Sequence, residues 1–99
     1  MKMPQDPNIL ALLPEFIDTW LEDIESQFKD LILSQNADDL YRMAHTIKGS
    51  CLQFGLDDIA AYGIELMGYA KNKDFEKAKN MEDKIVTAFK QAKEYIENN

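Results

Sequence analysis

One cysteine, Cys51, and one histidine, His45, stand in 99 residues. A lone thiol excludes an internal disulfide. A lone imidazole excludes a carboxylate-bridged metal bundle, which needs Glu-x-x-His pairs on facing helices. Arg42 also stands where the glutamate of such a pair would be, so no metal site is expected. Positive charge is scarce: 11 lysines and arginines against 18 aspartates and glutamates leave a net charge of -7. An acidic surface argues against nucleic acid or an anionic membrane as partner. No basic start precedes a long apolar run, so neither a signal peptide nor a transmembrane helix is expected. A soluble cytoplasmic protein is the simplest expectation. No Gly-x-x-x-x-Gly-Lys-Ser/Thr loop is present, which removes the phosphate cradle an autonomous kinase of that kind would need. Strict apolar-polar alternation over β-branched residues is missing too, so no sheet is expected.

Apolar residues make up 45% of the chain, enough for a packed core rather than disorder. The length fits one domain, 1–99, with a single modest core. Ile17, Leu21, Ile24, Phe28 and Leu31 recur at alternating spacings of four and three, the stripe of an amphipathic helix. Similar stripes predict long helices over about 14–33, 38–54, 57–71 and 74–97. Ile9, Leu10 and Leu13 give a short helix over about 8–13, and Pro14 stands where a helix begins or bends. Asp6 or Asn8, Asp38 or Asp39, Asp57 or Asp58, and Asn72 or Asp74 are the candidate N-caps. Gly55 stands where a left-handed C-cap residue belongs. Short connections force neighbouring helices to run up and down. The expected fold is all-α: an antiparallel up-down four-helix bundle with a short extra N-terminal helix, as a monomer.

The second long helix has two different faces. At about 100° per residue, Leu40, Ala44, Ile47, Cys51 and Phe54 share a core stripe. His45 lies off it. Tyr41 and Arg42 stand one turn before it, Lys48 and Gly49 one turn after, and Leu52 two turns after. Imidazole is a nucleophile near neutral pH. A phosphoryl group on it adds roughly two negative charges, which Arg42 and Lys48 are placed to offset. Gly49 weakens a helix by about 1 kcal/mol relative to alanine. In exchange it removes bulk beside the histidine, so that another backbone can come close. His45 is therefore the candidate phosphoryl acceptor.

The run Ala44-His45-Thr46-Ile47-Lys48-Gly49-Ser50-Cys51-Leu52-Gln53-Phe54-Gly55 resembles the signature of histidine-containing phosphotransfer (HPt) domains. That signature reads Ala-His-x-Leu-Lys-Gly-Ser/Ala-Ser/Ala, two variable positions, an apolar residue and glycine. Ile47 and Cys51 are mild departures from it. The resemblance implies a phosphoryl relay in multistep two-component signalling. His45 would accept the group on Nε2, Lys48 would stabilise its charge and Gly49 would leave clearance for the partner. The partners implied are the receiver domain of a hybrid histidine kinase and that of a response regulator. The receiver would supply the aspartyl phosphate and the Mg2+ ion, with no cofactor bound by this chain. Its start and end favour a stand-alone carrier. One departure is larger: Met67 stands where many members carry a glutamine or glutamate that orients the imidazole. Methionine is a poor acceptor, which leaves water, Gln53 or nothing for that task. Tyr41 and Leu52 are the expected docking residues, with Ile9, Leu10 or Leu13 as further contributors. The competing reading is a helical interaction module, never phosphorylated, that binds a receiver or another signalling protein.

Overall fold

A computed structural model describes residues 3–98. Among them are four helices and no strand: α1 (Pro7–Leu33), α2 (Ala37–Gln53), α3 (Asp57–Lys71) and α4 (Phe75–Glu97). The connections 34–36, 54–56 and 72–74 are too short for anything but antiparallel neighbours. α2 packs on α3, α3 on α4, and α1 on α4 and, along a lighter seam, on α2. This ring is the expected up-down four-helix bundle. Its core is apolar throughout: Ile17, Ile24 and Phe28 of α1 meet Leu40, Ile47, Leu66, Ile85 and Phe89, all shielded from water.

The extra N-terminal helix expected over 8–13 is not a separate element. Pro14 lies inside α1, which runs unbroken from Pro7. A proline in a helix interior removes one hydrogen bond and crowds the carbonyl four residues back, at about 3 kcal/mol. Burial outweighs this. Leu13 and Ile17 flank Pro14 and are wholly buried, and they continue the stripe of Ile24 and Phe28. Ending the helix at Pro14 would swing Leu13 away from a site where burial contributes about 1.5–3 kcal/mol. Ile9 and Leu10 also pack against the core from the first turns.

The helix ends show what sets the register. Asp6 caps α1 by accepting from the Asn8 amide at 2.9 Å, with Pro7 in the first turn. Asn36, rather than Asp38 or Asp39, caps α2 and accepts from the Asp39 amide at 3.1 Å. The two aspartates fall in the first turn, where their charge meets the positive helix end. Leu56 takes the cap position of α3 without a side-chain bond, and Asp57 and Asp58 follow it. Asp74 caps α4 through the Lys77 amide at 3.2 Å.

All three connections close alike. Gln35, Gly55 and Lys73 adopt left-handed φ values of 53°, 78° and 55°. The next amide then reaches back into the helix: Asn36 to the Leu31 carbonyl at 3.0 Å, Leu56 to Cys51 at 2.8 Å, and Asp74 to Tyr69 at 2.8 Å. This satisfies carbonyls that a helix end otherwise leaves bare. Only Gly55 carries the residue type that the conformation favours.

Candidate functional site

Leu40, Ala44, Ile47 and Cys51 are all inaccessible to solvent. That fixes the rotation of α2. The residues turned about 100° from this stripe must face water, and His45 is exposed among them. Arg42 and Gly49 are exposed as well, and Lys48 is half-buried. Tyr41 keeps 37% and Leu52 49% of its surface open, so the expected docking residues are accessible. Of the three contributors considered on α1, Leu13 is buried and Ile9 and Leu10 pack on the core; in those first turns the open leucine is Leu12, at 57%.

Gly49 meets no neighbour: a Cβ placed there would have nothing within 4 Å. No packing within the chain requires a glycine at this point. Gly63 of α3 is the opposite case. A Cβ on it would stand 2.9 Å from the Lys48 backbone nitrogen and 3.1 Å from the Ala44 carbonyl oxygen. The missing side chain lets α3 lie against the α2 backbone on either side of His45.

The close approach leaves a groove of about 440 Å³ between the first half of α2 and the end of α3. His45, Tyr41, Arg42 and the acidic Asp38 line one wall, and Ala70, Lys71 and Lys73 the other. Sequence reasoning treated Lys71-Asn72-Lys73 only as a turn and so missed two cations. The usable signal was the antiparallel pairing, which returns the end of α3 to the start of α2. Arg42 is bound to Asp39 at 3.4 Å and is itself 80% exposed, so this surface pair offsets only part of its charge. Among the described residues no ion pair engages Lys48, Lys71 or Lys73.

Among the described residues nothing polar fixes the His45 ring. Met67 is half-buried against the core. Gln53 lies eight residues further along α2, about 12 Å of helix rise, beyond the reach of its side chain, so it does not orient the ring. Among the described residues no hydrogen bond is made by His45. Its neighbour is Tyr41, one turn earlier, with ring centroids 6.4 Å apart and planes tilted by 36°. The site thus offers an open nucleophile, cations on two sides and clearance beside it. That combination suits receipt of a phosphoryl group carried in by a second protein.

No curated protein and no solved structure matches the chain. The family model described as the Hpt domain matches residues 9–98. Hpt domains interact with receiver domains in two-component phosphorelays, and the chain, matched over nearly its whole length, belongs to this family of histidine phosphotransfer modules.

Proposed function

We propose that His45 is the phosphoryl acceptor of this domain. It takes the group from the receiver of a hybrid sensor kinase and passes it to a response regulator. In the forward step the imidazole nitrogen attacks phosphorus as the aspartyl oxygen–phosphorus bond breaks, and the aspartate leaves as a carboxylate. The charge stays on the phosphoryl oxygens, where Lys48, with Arg42 beyond it, offsets it. Mg2+ belongs to the receiver in this reading. The chain contributes position and electrostatics, and needs no nucleotide site of its own.

The observation that carries the reading is the setting of the only histidine. His45 is exposed at mid-helix, next to Lys48, which no ion pair engages among the described residues, and to the open backbone at Gly49. A structural histidine would be buried and hydrogen-bonded. The test is to mix the chain with an aspartyl-phosphorylated receiver and look for acid-labile label on it. Wild type takes up label. His45→Gln takes up none and keeps the wild-type melting temperature, since an exposed side chain adds little to the fold. Label persisting on His45→Gln would refute the assignment.

A further inference from the structure

We propose that the outer face of the α1–α4 seam pairs two copies of this chain, in place of the monomer expected from sequence: Leu33 of each copy seats in the groove beside Leu33 of the other. The inference does not depend on His45 being the acceptor.

The inward stripe of α1 ends on Phe28 and Leu31. Leu33 follows two residues later, turned about 200° from Leu31, and so faces away from the core. It keeps 82% of its surface, the largest share among the open large apolar side chains described. A single exposed leucine is ordinary, but this one stands on the rim of a groove. The groove holds about 430 Å³ between the end of α1 and the start of α4, and Phe28, Ile32 and Phe75 give it an apolar lining. An apolar knob thus borders an apolar hole. A two-fold axis puts the knob of each copy into the hole of the other.

Charge selects the occupant. Lys29 and Lys79 line the groove together with Glu76 and Glu82. Among the described residues no ion pair engages any of the four. Their charges cancel on a chain of net charge -7, so the excess that drives copies apart lies elsewhere on the surface. A partner of one sign would meet as many like charges here as opposite ones. A second copy presents both signs. In a two-fold contact residue i meets j and j meets i, so each lysine set against a glutamate is repeated across the axis. The contact centres on few side chains, at the low end of specific interfaces, which makes the dimer weak and reversible. In the ring of helices the α1–α4 seam lies opposite the α2–α3 seam, where His45 lines its own groove. Pairing therefore leaves both imidazoles facing outward.

Sedimentation equilibrium of the full chain tests this. Wild type is expected to pass from monomer to dimer as its concentration rises to about 1 mM. Leu33→Glu should weaken pairing about ten-fold or more, as loss of a central contact does. Two double variants then separate self-complementarity from mere stickiness. Lys29→Glu with Lys79→Glu makes the rim wholly acidic, and Glu76→Lys with Glu82→Lys makes it wholly basic. Each alone should stay monomeric, while their equimolar mixture forms a heterodimer at least as tight as the wild-type pair. Recovery in the mixture also shows that both variants are folded. Wild type that is still monomeric at about 1 mM overturns the proposal. So does a mixture no more associated than its components. Slower labelling of Leu33→Glu by a phosphorylated receiver, with wild type monomeric, overturns it too and gives the face to the receiver.

Discussion

The two glycines that flank the site on α2 and α3 should respond oppositely to the same substitution. Gly49→Ala and Gly63→Ala each add one methyl inside a helix, and each gains about 1 kcal/mol of helix propensity. At Gly49 nothing opposes the gain, because among the described residues no atom beyond the helix's own backbone there lies within 4 Å of the new Cβ. The variant should be more stable by about that amount. At Gly63 the methyl would stand 2.9 Å, 3.1 Å and 3.2 Å from the Lys48 nitrogen, the Ala44 oxygen and the Lys48 Cα. These are backbone atoms of a buried crossing and no rotamer change relieves them, so α2 must move off α3. Overpacking of this kind costs about 1–3 kcal/mol. The net change is a loss of roughly 0–2 kcal/mol, and the two variants should differ by roughly 1–3 kcal/mol. At about 4–8 °C per kcal/mol for a domain of this size, the gap in melting temperature is on the order of 10 °C. Urea unfolding followed by circular dichroism measures it directly, given an unchanged slope. A Gly63→Ala variant as stable as Gly49→Ala would refute the close crossing, and with it the placement of α3 beside His45.

Lys48→Ala should slow transfer and shorten the phosphohistidine lifetime, while unfolding stability stays within about 0.5 kcal/mol of wild type; radiolabel decay on the purified phosphoprotein reads the lifetime. Burial pushes the Cys51 thiol up to about 12 from 9.0. The unfolded thiol therefore ionises from about pH 9 while the folded one stays protonated to about pH 12. The buried thiol's contribution is intact below pH 9 and is lost as pH rises through that window. Urea midpoints across the window should fall with pH in wild type, and less steeply in Cys51→Ala. Gln35→Gly replaces a left-handed non-glycine residue at the end of α1. It should raise stability by about 0.5–1 kcal/mol in thermal unfolding.

Much of the fold was legible because long stripes such as Ile17–Ile24–Phe28 leave little choice of element or of inward face. The unity of α1 was not legible. Pro14 reads locally as the start of a new helix or a bend, and only the burial of Leu13 and Ile17, a property of the assembled bundle, joins the two segments into one. Capping failed for a similar reason at α2: Asn36, Asp38 and Asp39 are all good caps, and their order was decided by the turn before them. The exposure of His45 followed from periodicity alone. The groove cations Lys71 and Lys73 did not, because they come from the end of α3 and the turn after it, and the placement of α3 is set by Gly63. Glycine placement carried more information than propensity suggests. Gly55 marks a turn, Gly63 a crossing, and Gly49 and Gly68 open backbone on the surface.

The ring of helices also shapes the folding route. α2–α3, α3–α4 and the lighter α1–α2 seam join sequence neighbours across connections as short as 54–56, whereas α1 and α4 meet only after the whole chain has returned. Closing a small loop sacrifices less chain entropy than closing a large one, and contacts near in sequence form sooner. The hairpins of adjacent helices, closed by equally short connections, are therefore the cheap tertiary units to nucleate, α2–α3 being the most extensively packed of them, and the α1–α4 pairing, tied by Lys93 to Asp18 at 2.6 Å, is the late clasp. His45 thus sits in a hairpin that can assemble before the bundle closes.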